Sequence, residues 1–207
     1  MFCFAVTGGI GSGKSYLVRL MSALGIPAYI ADIRAKELYN TNRLLVTKLA
    51  NLLGDDILSE NGVRRDIMAS KIFSDPSLLE RVNNIVHPEV LKDFFLWRES
   101  METDGHKAVI YESAIFLETP GFRGIADKII VVVAPEEERI RRVIKRDSIT
   151  EEQVRARMDR QWSDEERIRM ADFIIFADGK RAILPQLMEI FNQTGFKPEI
   201  LWVTENG

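Results

Sequence analysis

Cysteine is nearly absent from this 207-residue chain, and several other features are missing as well. Cys3 is the only cysteine, so neither an intrachain disulfide nor a zinc site with spaced cysteine ligands can form. No apolar run approaches the roughly 20 residues of a membrane-spanning helix, and the N-terminus lacks the basic segment and cleavage site of a secretory signal. The 28 Lys and Arg do not outnumber the 31 Asp and Glu, so the net charge of −3 does not favour a nucleic-acid or anionic-membrane partner. These absences predict a soluble globular protein of the cytoplasm.

The pattern of apolar residues predicts an α/β fold with a parallel sheet. A continuous apolar run, typical of a strand covered on both faces, lies at residues 2–7, and a shorter apolar segment lies at 26–31. Runs rich in β-branched residues lie at 109–113 and 128–133, and a shorter one lies at 173–176. The segments between successive runs are long enough for the helical crossovers that parallel strands require. We therefore predict a three-layer α/β core.

Residues 40–105 interrupt this alternation, because no convincing strand occurs there. Amphipathic or proline-initiated stretches predict three helices, at 44–53, at 65–73 and from Pro88 to about residue 102. We predict a core made of residues 1–39 and 106–207, with a helical insertion at 40–105. The apolar tail at 200–203 permits one more strand.

The most specific motif is G-x-x-x-x-G-K-S, which directly follows the first predicted strand. Its members are Gly8, Gly9, Ile10, Gly11, Ser12, Gly13, Lys14 and Ser15. Glycines let backbone N–H groups turn towards a phosphate, and the helix that follows adds its N-terminal dipole. In such a P-loop the lysine reaches the β- and γ-phosphates and the serine hydroxyl binds Mg²⁺. A glycine-rich turn that binds nothing would not need the strand–loop–helix context, so we predict a nucleoside triphosphate site.

The loop predicts a triphosphate but does not define a reaction. The chain has neither the N-K-x-D with which Ras-type GTPases read the base nor the L-S-G-G-Q of ABC ATPases. It combines a small core with a helical insertion and a separate Arg-rich and Glu-rich helical stretch at 136–170. This layout is typical of a small-molecule kinase, in which one part binds the acceptor and a lid closes over ATP.

Asp32 and an arginine-rich helix face are the candidate groups for phosphoryl transfer. Asp32 follows the second predicted strand, at the sheet edge where ligands bind in open α/β folds. It could act as general base, or it could cap a helix that begins at Ile33. Arg139, Arg142 and Arg146 share one helix face. They could stabilise the charge of the transferred phosphoryl group, or pair at the surface with the glutamates that precede them.

Two further residues admit both a structural and a functional role. His87 precedes Pro88 and could cap the long predicted helix, and with only two histidines in the chain a histidine metal site is not expected. Glu112, near the end of the third strand of the core, could support a Mg²⁺ ligand or be an ordinary strand-end charge.

Together these segments resemble the dephospho-CoA kinase family, in the same order along nearly the whole chain up to about residue 180. The matching segments are T-G-G-I-G-S-G-K-S at 7–15, a D-A-D motif as Ile30-Ala31-Asp32, N-G with a following Arg as Asn61-Gly62 and Arg65, then Phe73, His87-Pro88, P-L-L-F-E as Ala114 to Glu118, the lid residues Arg142, Arg146 and Gln161, and Ala171-Asp172.

The resemblance implies transfer of the ATP γ-phosphoryl group to the ribose 3′-hydroxyl of dephospho-CoA, the last step of coenzyme A synthesis, with Mg²⁺ as cofactor. The site residues it implies are Asp32, Lys14 and Arg142 for catalysis, the phosphate loop with Arg142 and Arg146 for ATP, Asp32, Arg65 and His87 for the acceptor, and Ser15 for Mg²⁺. It further implies that the helical insertion binds the acceptor and that residues 139–165 form the lid.

Four positions depart from the family pattern, namely Ile30, Ala114, Arg139 and Ala177. None lies in the phosphate loop, so the departures concern contacts with acceptor and adenine more than the reaction. Two alternatives stay open: a kinase for another nucleoside or nucleotide, and an ATP-responsive binding module without an acceptor. The sequence does not define an oligomeric state.

Overall fold

A computed structural model describes residues 1–198 except Ser74 and Pro120. The strand considered at 200–203 lies outside the described residues. The chain forms two compact units. One contains Met1–Tyr29 and the chain from Met101 onward, and the other is Ile30–Ser100. No helix among the described residues has the length and apolar character needed to cross a membrane.

The described chain alternates strands and helices. In chain order the strands are β1 (Phe2–Thr7), β2 (Ala28–Ile30), β3 (Leu58–Ser59), β4 (Gly62–Val63), β5 (Ala108–Glu112), β6 (Lys128–Val133) and β7 (Phe173–Phe176). The helices are α1 (Lys14–Ala23), α2 (Ala31–Thr41), α3 (Arg43–Leu53), α4 (Arg65–Phe73), α5 (Pro76–Thr103), α6 (Glu136–Asp147), α7 (Glu151–Met158), α8 (Asp164–Ile168) and α9 (Ile183–Thr194).

Five strands form one sheet in the order β2-β5-β1-β6-β7, with β1 in the centre. β1 runs parallel to β5 and β6, with Val6 opposite Glu112 and Thr7 opposite Val131. β7 runs parallel to β6. The carboxyl ends of β1, β5 and β6 therefore lie side by side, which is the edge where open α/β sheets bind ligands. The predicted α/β fold with a parallel sheet is confirmed.

The second strand is shorter than its apolar run. Its predicted range was 26–31, but the extended part is Ala28–Ile30. The Ile26 N–H donates to the Met21 carbonyl, so this residue completes the end of α1 instead of starting β2. An apolar run alone cannot show which of its members serve a preceding helix end.

The prediction that residues 40–105 contain no strand is wrong at one place. β3 and β4 form an antiparallel hairpin in which Ser59 pairs with Gly62. Each strand has only two residues, which is too short to show the alternation that identifies a strand in a sequence. The turn residues of this hairpin are Glu60 and Asn61, and Gly62, the first residue of β4, has a φ of +115°, which favours glycine.

The long helix of the second unit begins twelve residues before its predicted start. α5 starts at Pro76 and contains Pro88 in its interior. Asp75 fixes the true start, because its carboxylate accepts hydrogen bonds from the N–H groups of Ser77 and Leu78, at 2.9 and 3.1 Å. His87 consequently lies within the helix and does not cap it.

Candidate active site

The phosphate loop joins β1 to α1 at the centre of the sheet. Gly13 is the N-cap of α1 and has a φ of +107°, a conformation that side chains with a Cβ rarely adopt. Within the described part of the chain, no side-chain hydrogen bond caps this helix N-terminus. The helix therefore presents its positive dipole end to the loop, as protein anion sites do.

Polar side chains line this loop. The Lys14 ammonium is buried and donates to the carbonyl oxygens of Gly8 and Gly9, at 2.8 and 3.2 Å. The Ser12 hydroxyl is also buried and has no hydrogen-bond partner among the described residues. Ser15 exposes its side chain in the first turn of α1. The loop thus gathers an ammonium, two hydroxyls and a helix dipole, a combination suited to phosphate oxygens.

Two of the three arginines on one face of α6 bind backbone carbonyls of this loop. Arg139 donates from Nε to the Ile10 carbonyl at 3.0 Å. Arg142 donates from Nη1 to two loop carbonyls at 3.3 Å each, and from Nη2 to the Ala177 carbonyl at 2.7 Å. These bonds tie the loop to α6 and to the end of β7. They restrain a glycine-rich loop, whose backbone would otherwise have many accessible conformations.

The third arginine has different contacts. The Arg146 guanidinium is exposed and hydrogen-bonds both carboxylate oxygens of Asp147, at 2.6 and 3.0 Å. This side-chain hydrogen bond holds the pKa of Asp147 below its ordinary value. The structure therefore brings Arg139 and Arg142 to the loop, whereas the hydrogen bonds of Arg146 lie at the surface.

Gln161 contacts the loop from the segment between α7 and α8. Its Oε1 accepts a hydrogen bond from the Ile10 N–H at 2.8 Å. The Ile10 residue is thus held on both sides, through its N–H by Gln161 and through its carbonyl by Arg139. A residue of the predicted lid pattern is therefore an anchor of the phosphate loop.

A cavity of about 580 Å³ opens beside the loop. Its lining residues are Gly13, Tyr16, Arg142, Ala177, Gly179, Lys180, Arg181, Ala182 and Ile183. Tyr16 exposes about half of its surface, so an aromatic ring and a guanidinium both border the space. The sequence interpretation missed Tyr16, although its position directly after the G-K-S triplet could have indicated it.

A buried ion pair formed by an arginine of α8 was also missed. Arg167 is fully buried, and its Nη2 donates to Glu118 Oε1 at 2.6 Å. Its Nη1 donates to the Trp162 carbonyl and lies 3.5 Å from Asp164 Oδ1. No sequence signal separates Arg167 from exposed neighbours such as Arg169, because both belong to one charge-balanced stretch.

Glu112 stands at the carboxyl end of β5 and is almost fully buried. It lies opposite Val6, one residue before the last residue of β1. Burying a carboxylate is costly unless it is hydrogen-bonded or faces a cation. Its position at the end of β5, beside β1, does not distinguish a group that supports a Mg²⁺ ligand from an ordinary strand-end charge. Both roles stay predictions.

The second unit contains the carboxylate proposed as general base. Asp32 lies in the first turn of α2, and the N-cap of that helix is Ile30. The expectation that Asp32 caps a helix beginning at Ile33 is therefore wrong, since the helix starts at Ala31. Its side chain is exposed. An acidic residue in the first turn is still favoured by the helix dipole.

Asp32 and Arg65 act on the same tyrosine within this unit. Burial raises the pKa of Tyr39, the negative charge of Asp32 raises it further, and the positive charge of Arg65 opposes both. Arg65 opens α4, two residues after β4. His87, the other acceptor candidate, is half-buried in α5, and burial lowers its pKa below the ordinary value.

Comparison with known proteins identifies the family. The family model for dephospho-CoA kinase matches residues 2–182. The dephospho-CoA kinase of Porphyromonas gingivalis is 41% identical over 192 residues, covering 92% of this chain and 93% of that protein. The one from Bacteroides fragilis is 35% identical over 188 residues, covering 89% of each. The solved structure of the Campylobacter jejuni dephospho-CoA kinase superposes with a TM-score of 0.65 at 25% identity, covering 93% of this chain and 95% of that one. The chain therefore belongs to the dephospho-CoA kinase family of ATP-dependent kinases.

Proposed function

We propose that this protein transfers the γ-phosphoryl group of ATP to the ribose 3′-hydroxyl of dephospho-CoA, in the cytoplasm and with Mg²⁺. The phosphate loop between β1 and α1, with buried Lys14 inside it, carries the donor half of this proposal. Membership of the family supports the acceptor half. Phosphoryl transfer needs little covalent chemistry from the protein, so positioning and charge stabilisation are the functions assigned to the residues below.

On the donor side, the loop N–H groups and the dipole of α1 bind the β- and γ-phosphates. When ATP binds, the Lys14 ammonium donates to phosphate oxygens in place of the two loop carbonyls. It then stabilises the negative charge of the transferred phosphoryl group. The cavity beside Gly13 accepts the adenine, with Tyr16 and Arg142 at its border. Arg146 supplies further charge when the lid predicted at residues 139–165 closes over ATP and excludes water, while Arg139 and Arg142 stay bonded to the loop.

The residues present fit a magnesium ion held mainly by substrate. Mg²⁺ is usually bound by one or two protein oxygens together with phosphates and waters. The exposed Ser15 hydroxyl is such an oxygen, and Glu112 provides a buried negative charge at the end of β5. No group of three or more His, Cys, Asp or Glu side chains that could hold a metal ion occurs among residues 1–198 as described. When bound, Mg²⁺ would neutralise charge between the β- and γ-phosphates.

On the acceptor side, Asp32 accepts the proton of the attacking hydroxyl and orients it in line with the γ-phosphate. Its exposed carboxylate, two residues past the end of β2, supports this role. Arg65 and His87 contribute to binding dephospho-CoA. Arg65 supplies a positive charge on the same unit as Asp32, as an anionic acceptor requires.

The reaction is tested by measuring ADP release from ATP and Mg²⁺ in the presence of dephospho-CoA, adenosine, AMP or pantothenate. We expect strong stimulation by dephospho-CoA alone. Stimulation by AMP or adenosine instead would indicate a nucleotide or nucleoside kinase. ATP binding with no stimulation by any acceptor would indicate a binding module and end the proposal.

The base is tested with Asp32→Asn. We expect kcat to fall by about 10²-fold or more, the contribution of a general base, with the Kd for ATP nearly unchanged. Asp66→Asn is the matched control, because Asp66 is also an exposed carboxylate in the first turn of a helix of the same unit. An unchanged kcat for Asp32→Asn, or an equal loss in both variants, contradicts the assignment.

A further inference from the structure

We propose that Arg139 is a positioning residue for ATP, which fixes the Gly9–Ile10 part of the phosphate loop to the start of α8 through Asp164. The inference rests on the proposed function only in that ATP is the ligand of the loop. The sequence left two roles open for Arg139, either charge for the phosphoryl group or a surface pair with the preceding glutamates. Its contacts assign it a different task.

Every donor nitrogen of the Arg139 guanidinium has a defined neighbour. Nε donates to the Ile10 carbonyl at 3.0 Å, and Nη1 donates to Asp164 Oδ2 at 3.0 Å. Nη2 lies against Gly9, 2.1 Å from the place that a Cβ on this glycine would occupy. The residue is only 7% exposed. A planar, rigid fork suits such a three-sided contact, which a lysine could not reproduce.

Gly9 gives independent support for this packing. Three glycines of the loop, Gly8, Gly11 and Gly13, have positive φ angles, whereas Gly9 does not. The backbone conformation at Gly9 is therefore open to residues with a Cβ. The Arg139 guanidinium is what fills the space, so the absence of a side chain at Gly9 serves this contact and not the turn.

Asp164, the partner of Arg139 in α8, is itself held by its surroundings. Asp164 is the first residue of α8, whose N-cap Ser163 forms a capping box with Glu166. Asp164 also lies 3.5 Å from the fully buried Arg167. Asp164 holds one end of the Arg139 guanidinium, and the Ile10 carbonyl accepts from the other. We call the pair of Arg139 and Asp164 the loop clamp.

The loop clamp has a consequence for ATP. A loop that is already ordered binds phosphate more tightly than a flexible one, because the flexible loop loses conformational entropy when it binds. Without Asp164, the buried Arg139 charge would lose its ionic partner and the Ile10 carbonyl would lose a fixed donor. Since ATP would then have to order the loop, its affinity should fall by on the order of tenfold, the value of one hydrogen bond to a charged group.

The test is a double-mutant cycle on the Kd for ATP, measured by calorimetry without any acceptor, so that a wrong acceptor assignment leaves the result standing. Arg139→Gln and Asp164→Asn should each weaken binding about tenfold, and the double variant should be no weaker than the worse single one. Arg141→Gln is the matched control, since Arg141 lies on the same helix but is 70% exposed and pairs with Glu138. It should bind ATP like the wild type.

Two outcomes would overturn the proposal. If Arg139 touched phosphate directly, Asp164→Asn would leave ATP binding unchanged or tighten it, because the arginine charge would be released towards ATP. If the clamp were only structural, both variants would lower the melting temperature while the Kd for ATP stayed at the wild-type value. Should Arg139→Gln not fold, Asp164→Asn alone decides, because weaker ATP binding supports the clamp and unchanged binding contradicts it.

Discussion

Replacing Arg167 by methionine should destabilise the protein through the charge that it leaves behind. The fully buried guanidinium donates to Glu118 at 2.6 Å and to the Trp162 carbonyl. Glu118 has only 14% of its side chain exposed. In the Arg167→Met variant, the hydrogen bond that remains to the Glu118 carboxylate among the described residues is the one donated by the Trp162 N–H, at 3.2 Å. The Glu118 carboxylate would then be shielded from water without the positive charge that faces it in the wild type.

The magnitude follows from the two hydrogen bonds that disappear. Hydrogen bonds that involve a charged group contribute about 1.5–3 kcal/mol each, and removing one partner of a buried ion pair typically destabilises by 3–5 kcal/mol. Arg167 Nε has no partner among the described residues, so the arginine itself is incompletely compensated and the loss should lie towards the lower value. We expect a decrease of about 3–4 kcal/mol in the free energy of unfolding. At about 2–4 °C per kcal/mol for a chain of this size, the melting temperature should fall by roughly 6–16 °C.

Urea unfolding and a thermal melt measure this loss, with two further variants beside it. Arg169→Met replaces an exposed arginine two residues away and should change stability by less than about 0.5 kcal/mol. Combining Arg167→Met with Glu118→Gln removes the stranded charge and should recover more than half of the loss. A loss below about 1 kcal/mol, or a double variant as unstable as the single one, would refute the reasoning.

Three further predictions concern the loop and the second unit. Gly8→Ala should weaken ATP binding at least 10²-fold by calorimetry, because φ is +147° and a Cβ would lie 2.3 Å from a carbonyl oxygen of β6; binding within threefold of wild type would contradict it. Burial pushes the pKa of Glu89 upward, but hydrogen bonds from Lys48 and Lys92 outweigh burial and hold that pKa below its ordinary value. The stabilisation that ionised Glu89 contributes is thus present above the unfolded pKa of about 4.3 and is lost as pH falls through the lower folded pKa. The urea midpoint of Glu89→Gln should therefore change less between pH 6 and pH 3 than that of the wild type. Burial lowers the pKa of His87, so stability should fall as pH drops below about 6.5, and His87→Gln should remove that slope; an unchanged slope would exclude His87 as its source.

The core was predictable because its signals are local. A strand covered on both faces must be apolar throughout, so the runs at 2–7 and 128–133 coincide with β1 and β6. The phosphate loop was predictable for the same reason, since a phosphate cradle imposes its glycines, lysine and serine within eight residues. The helix at 65–73 also matches α4. One error occurred at the β3–β4 hairpin, whose two-residue strands are too short to show alternation. The other occurred at the start of α5, because Asp75 caps the helix ahead of Pro76 whereas the prediction started it at Pro88.

The sequence by itself determined the nucleotide-binding loop, the α/β class and the family, because each is written in the order of nearby residues. Only the tertiary structure shows what the arginines of α6 contact. Arg139, Arg142 and Arg146 share one helix face in the sequence, yet two are hydrogen-bonded to the loop and one to Asp147 at the surface. Periodicity states which side of a helix a residue occupies, but not what packs against it at each turn. Arg139 and Arg142 bond loop residues 129 and 131 positions away in the sequence, whereas Arg146 bonds the adjacent Asp147, and periodicity alone cannot distinguish the two cases.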